Sequence, residues 1–364
     1  MKKKLKTKKN YELINKLSQF NKTKRPLSIV IFALLGVVGL TIILLKSDFN
    51  EILGFLRNTT MILIIFYLLI QVLLMLVLTM RWAVILESQG HRRINLFRLN
   101  KYRVVGQAVS FLTPTAKMGG EGIKTRIMSK RESIPYSKAL SSTFIDNSVD
   151  LTASGLFFLI GTIIILLSIN VGFKTKMFLG CLIFLFLFFL GVFNYRLFKG
   201  KPMMHGLAKR FGLFKIKMIK DFEHEIKKFD EYLHEFYRKD KKHFYYAILL
   251  SLISWILMFF EYYVAGRMLG FNFSAWMIFL IVTLVGLAYL IPTPMALGTL
   301  EAGQISAFSI LNISSAAGIG LSFIVRAKDM LIAFWGVGIM SFYGFNPNNA
   351  LEKAGFGDEV ENKK

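Results

Sequence analysis

Cysteine is nearly absent from this chain: Cys181 is the single one, and it lies inside an apolar run. An intramolecular disulfide is thereby excluded, and so is a cysteine-based metal centre. The histidines His91, His205, His224, His234 and His243 are scattered, with no metal-ligand spacing among them. The P-loop, G-x-S-x-G, H-E-x-x-H and G-x-G-x-x-G signatures are missing. No nucleophile–base pair can be named, and no cofactor is expected. Acidic residues are scarce as well, 22 Asp and Glu against 46 Lys and Arg, and too little polar sequence remains for a separate soluble domain.

What the chain has instead is apolar length. It is 54% hydrophobic with 35 Phe, and its mean hydropathy is +0.51. Runs over 27–45, 60–80, 151–169, 177–195, 244–263 and 321–343 approach the roughly 20 residues that a helix needs to cross a bilayer. Residues 1–25 are too long and too polar for a signal peptide, so 27–45 reads as a retained span.

The net charge of +24 invites a nucleic-acid reading, which its distribution opposes. Lys and Arg number ten in 1–25, six in 81–103, six in 117–138 and fourteen in 196–243, whereas the alternate loops hold only Lys46, Arg57, Lys174, Lys176 and Arg267. This is the positive-inside pattern. It places both termini in the cytoplasm of a multi-pass plasma-membrane protein, with basic segments beside anionic head groups.

One motif recurs. Thr113, Pro114, Ala116 and Glu121 return as Thr293, Pro294, Ala296 and Glu301, 180 residues downstream. Phe144-Ile145 with Asp150 returns as Phe323-Ile324 with Asp329, shifted by 179. Only 13 uncharged residues separate Arg103 from Lys117, a helix of about 20 Å, so this segment is expected to dip into the membrane and return. Segments 275–291 and 295–312 form a second broken pair, entering from the opposite side. Paired interrupted helices in inverted halves are the sequence pointer to a transport site.

The expected fold is an all-α polytopic membrane protein with inverted repeats, about six full spans and two broken or re-entrant helical hairpins. Residues 1–26 form a basic N-terminus and 27–343 the transmembrane domain. Its repeat halves are about 60–195 and 244–343, and 344–364 is a cytoplasmic tail. In the loop 196–242, Ile219, Phe222, Ile226, Phe229, Leu233 and Phe236 make one helical stripe. It suits the inner leaflet, a partner, or the protein's own cytoplasmic face.

Candidate site residues follow from charge at membrane depth. Glu121 follows Gly119 and Gly120, whose backbone suits close approach of a phosphate to a helix N-terminus. Glu301 has no Lys or Arg between Arg267 and Arg326 to explain it. Arg326, Lys328 and Asp329 interrupt the last apolar run. Arg326 and Asp329 share a helix face and are expected to pair, with Lys328 contacting Glu301 or Glu121. Asp146, Asn147 and Asp150 share a face in the first half. Arg81 starts a basic loop and suits a topological anchor, and Glu261 is the weakest candidate.

These residues resemble the flippase-like transmembrane region of the lysylphosphatidylglycerol synthase family. The likeness rests on Arg81-Trp82 with Leu86 and Gly90, then Pro114, Gly119-Gly120-Glu121 and Arg126, then Asp146 and Asp150. In the second half it rests on Pro292-Thr293-Pro294, Gly298, Glu301 and Arg326, and it covers roughly 30–343. Asp146-Asn147 stands where the family often shows Glu-Arg, so a first-half arginine partner does not carry over. Synthases of the family continue into a soluble aminoacyl-transferring domain, for which the 20 or so residues after the last span leave no room. The resemblance implies translocation of an anionic or zwitterionic lipid between leaflets. A phosphatidylglycerol lysyltransferase or its membrane subunit, and a membrane anchor for a lipid-modifying or glycosyltransferase enzyme, are the alternatives.

Overall fold

The computed structural model describes residues 50–342, apart from 52–53, 55–56, 58, 92–93, 113–118, 168–171, 217–219, 221, 290, 292 and 294–295. The expected span 27–45, both terminal segments, and Pro114, Pro292 and Pro294 of the two motifs lie outside the described residues. Within them the protein is helical, without strands. In chain order the helices are α1 (Met61–Ser88), α2 (Leu96–Leu112), α3 (Glu121–Arg131), α4 (Tyr136–Leu167), α5 (Phe173–Phe198), α6 (Met204–Arg210), α7 (Glu223–His234), α8 (Lys241–Met268), α9 (Ala275–Ala288), α10 (Thr299–Ile310) and α11 (Ser315–Phe342).

Four of these, α1, α4, α5 and α8, are long and apolar enough to cross a membrane. Helix α11 is as long as α1, but Arg326, Lys328 and Asp329 break its apolar run. The spans run beyond the apolar segments that mark them in the sequence, because helical hydrogen bonding continues through polar flanks. Residues 104–112 of the segment expected to dip into the membrane are likewise part of a longer helix: α2 has 17 residues and takes in Arg98, Lys101 and Arg103.

Helix boundaries recur at a near-constant offset. Helices α1 and α8 begin 180 residues apart, α2 and α9 179, α3 and α10 178, and α4 and α11 179. The ends recur too. Helix α1 closes on Gly90 at φ 88° and α8 on Gly270 at φ 85°. In each, the residue after the glycine donates back to a carbonyl one turn inside the helix, His91 to Leu86 and Phe271 to Gly266. This is the Schellman closure, which needs a residue in the left-handed region. Ser133 after α3 and Asn312 after α10 take the same backbone conformation, at φ 54° and 56°.

The packing follows these correspondences. Helix α1 lies along α8, α2 and α3 pack together as do α9 and α10, and α3 packs on α4 as α10 does on α11. Crosswise, α2 packs on α11 and α9 on α4. Arg81 reaches Ser251, Tyr67 reaches Glu261 and Thr59 reaches Met268, so α1 and α8 run antiparallel.

The stripe in 196–242 resolves as internal packing. Phe229, Leu233 and Phe236 are buried against Ile145 and Val149 of α4, Leu197 of α5 and Phe244 of α8. Phe222 stays exposed, and Ile219 lies outside the described residues. The face offered to a partner or a leaflet in the sequence reading is occupied by the protein itself.

Candidate functional site

Asp146 is fully buried near the start of α4 and takes two cations. Arg81 Nε donates to Oδ1 at 2.7 Å and Arg103 Nη2 to Oδ2 at 2.8 Å. Arg81 also bonds Asp150, one turn along the same face, and donates to Ser251 Oγ at 3.0 Å. Charge-assisted bonds of this kind are what make buried ions tolerable. Arg81 is therefore a centre of the buried network rather than a topological anchor. The arginines that pair with Asp146 of α4 come from α1 and α2.

Lys124 on α3 completes this group. Its Nζ lies 2.6 Å from Glu121 Oε2 and 5.0 Å above the ring of Trp82. The Arg103 guanidinium sits 5.7 Å from the same ring. Trp82 is fully buried and anchored by its Nε1–H to Ser142 Oγ, a fixed cation–π floor for two charges. Gly106 and Gly120 let α2 and α3 touch main chain to main chain, since a Cβ at Gly120 would collide with the Gly106 carbonyl. The Gly120 N–H donates to Ser110 Oγ at 2.8 Å.

In the second half, Arg326 holds Glu301 with a two-pronged grip, Nη2 to Oε2 at 2.8 Å and Nε to Oε1. Nη2 also donates to the Ala296 carbonyl at 3.1 Å. Ala296 has φ 51° and Gly298 φ 74°, so the chain entering α10 is sharply turned and Arg326 fastens it. Lys328 Nζ is 2.8 Å from Glu261 on α8 and 3.5 Å from Asp329. Two expectations are corrected here. Arg326 grips Glu301 instead of Asp329, because α10 packs directly on α11. Lys328 turns to Glu261 instead of Glu301 or Glu121, because it lies on another face of α11.

A cavity of about 320 Å³ joins the two halves. Arg81, Arg103, Lys124, Glu121 and Asp150 line it from one half, and Tyr289, Thr293, Ala296 and Asp329 from the other. Glu301 and Arg326 stand behind this wall, in contact with it through Ala296. Gly119 and Gly120 form the turn leading into α3. Arg126 is half-buried on α3 and is not part of the wall. Among the described residues no group of acids, histidines or cysteines could hold a metal ion.

Arg103, Lys124, Ser251 and Tyr67 were not singled out in the sequence. Arg103 and Lys124 sit in basic stretches that look like membrane anchors. A usable signal existed for Glu261: the offset of 180 that relates the two motifs also relates it to Arg81.

With this geometry in view, comparison with known proteins gives a family. Residues 27–338 match the family described as the lysylphosphatidylglycerol synthase TM region. The chain belongs to that family. It is similar to a UPF0104 membrane protein of Methanothermobacter thermautotrophicus, 23% identical over 88% of this chain and 97% of the relative. It is also similar to the UPF0104 membrane protein MJ1595 of Methanocaldococcus jannaschii, 25% identical over 83% of this chain and 88% of that protein. No solved structure matches. Membership and the apolar helices together make this a membrane protein of the family.

Proposed function

We propose that the protein is a lipid translocase, built from inverted halves of about 60–195 and 244–343, that moves a phospholipid or other lipid phosphate between leaflets of the plasma membrane. Both termini then lie in the cytoplasm, a placement the basic loops support. The recurrence of helix boundaries, together with the antiparallel run of α1 and α8, supports the inversion. Two such halves can exchange conformations to open a central site to either side.

The observation that carries the reading is the cavity where Arg81, Arg103 and Lys124 meet the turned chain at Thr293 and Ala296. Guanidinium forks match phosphate oxygens as well as carboxylate oxygens. Asp146 is sealed, while the carboxylates of Asp150 and Glu121 are 37% and 24% exposed. An arriving phosphate therefore displaces these two outer carboxylates and leaves the Asp146 anchor in place. The exchange keeps each cation in a charge-assisted pair, and the two carboxylates it releases are more exposed than Asp146. Acyl chains stay in the lipid while the head group passes through the cavity.

Reconstitution into liposomes carrying a fluorescent phospholipid tests this. Wild-type protein is expected to expose inner-leaflet label to an impermeant quencher, and Arg81→Met and Arg103→Met to slow that exposure at least tenfold. Equal exchange in liposomes with wild-type protein, either variant, or no protein removes the basis of the reading.

A further inference from the structure

From Arg196 to Lys220 the chain holds eight Lys and Arg and neither Asp nor Glu. The acids of the same loop all come later, from Asp221 onward. Helix α6 sits in the basic stretch and is fastened from behind by two of those acids. Asp230 of α7 accepts from the Met204 N–H at 3.0 Å and from the His205 N–H at 2.9 Å. His205 Nε2 lies 3.2 Å from Glu223 Oε1, and its ring packs on Phe214 at 5.0 Å. Ala208 is buried on the same helix. With Asp230 and Glu223 engaged there, the exposed charges of the stretch among the described residues are Lys201, Lys209, Arg210, Lys215 and Lys220, all positive.

The outer side of α6 is also apolar. Met204, Leu207 and Phe211 recur at steps of three and four, one stripe of a helix. All three are exposed, Phe211 at 72%, and Ile216 just beyond is exposed too. Helices that lie in a membrane surface combine such a stripe with flanking Lys and Arg. The apolar side chains enter the head-group boundary while the cations stay among the phosphates.

The neighbours of α6 set its height. Helix α5, one of those able to cross a membrane, ends at Phe198. Gly206 lies against its last turn, since a Cβ there would be 3.9 Å from Arg196 Nη2. Exposed Tyr195 carries Lys199 Nζ at 5.9 Å and Lys201 Nζ at 5.5 Å over its ring. Exposed Tyr245 and Tyr246 stand near the start of α8, beside Lys241 and Lys242. Tyrosines and lysines at the ends of spans mark the head-group layer. The basic, apolar side of α6 lies at that level.

We propose that α6 and the turn after it (Leu213–Lys215) form a docking surface for anionic lipid. Met204, Leu207, Phe211 and Ile216 enter the leaflet at which α5 ends, and Lys209, Arg210 and Lys215 hold its phosphate head groups. A leaflet bearing anionic lipid is the occupant that offers negative charge and apolar depth together at this height. The surface is separate from the cavity, and the proposal does not rest on lipid translocation.

The test uses the full chain in lipid nanodiscs, in a Cys181→Ser background, with a fluorophore on Phe211→Cys or, separately, on Ile216→Cys. Lipids with brominated acyl chains are expected to quench both labels when the discs contain phosphatidylglycerol, at least about twofold more than in phosphatidylcholine alone. Combining Lys209→Gln, Arg210→Gln and Lys215→Gln is expected to bring quenching in the anionic discs down to the neutral level, as high salt should. A label on Glu231→Cys, exposed on α7, is expected to stay unquenched. No quenching at Phe211→Cys and Ile216→Cys, or equal quenching at Glu231→Cys, overturns the docking. Equal quenching in the two kinds of disc overturns the assignment to anionic lipid. Labels shielded from aqueous iodide yet unreached by brominated chains place a protein on this face, and overturn the proposal as well. Leaflet exchange is read separately, and its absence leaves this surface standing.

Discussion

Arg81 and Glu261 occupy corresponding places in two antiparallel helices, 180 residues apart, and carry opposite charge. Each is buried, at 2% and 3% exposure, and each reaches across to the partner helix, Arg81 to Ser251 and Glu261 to Tyr67. The two positions thus carry reversed polarity in two layers of the same helix pair. The cation layer lines the cavity and the carboxylate layer lies beyond it.

The Glu301–Arg326 grip is expected to behave as a coupled unit. Removing one partner of a buried pair costs about 3–5 kcal/mol, because the other ion is left bare. Glu301→Gln and Arg326→Met are each expected to lower thermal stability in detergent. The double variant is expected to lose clearly less than the sum of the singles. Additive losses would show that the two side chains do not meet.

Gly120→Val is expected to weaken the α2–α3 hairpin by about 1–3 kcal/mol, the usual cost of overpacking a close contact. Gly122→Ala, two residues along where an added Cβ meets nothing within 4 Å, serves as the control. Thermal unfolding of the two purified variants decides the matter, and equal midpoints would refute the main-chain contact.

Opposite access is expected for two equivalent positions, Gly122 and Ala302, both exposed at the starts of α3 and α10. In a Cys181→Ser background, an impermeant thiol reagent added outside intact cells is expected to label one of Gly122→Cys and Ala302→Cys. The other should react only after the cells are opened. Labelling of both from one side would contradict inverted halves.

Truncating the α7 stripe separates packing from partner docking. Phe229→Ala is expected to cost about 3–5 kcal/mol, as for other buried phenylalanines. Phe222→Ala, at an exposed position, should stay within about 0.5 kcal/mol of wild type. The opposite order of effects, read by thermal unfolding, would return the stripe to an external role.

Much of the helical framework was legible because apolar length and breaks leave local marks. The motifs around Glu121 and Glu301 were found by their repetition, and Glu301 stood out for having no cation near it in sequence. The ion partners were not legible. Whether Lys124 faces water or the Trp82 ring depends on how α3 crosses α1, and Lys328 finds Glu261 through packing of α11 near α8. A basic residue in a basic stretch gives no local clue that it is buried. The repeat offset, extended beyond the motifs, is the one sequence signal that would have raised Glu261 beside Arg81.

The contact of Gly106 with Gly120 has a mechanical consequence. With two backbones touching and the Lys124 side chain lying over Gly106, α2 and α3 are closely coupled. Arg103, Ser110, Glu121 and Lys124 are held on this one coupled unit. In the proposed translocation cycle, this end of the molecule would then open by a swing of α2 and α3 together.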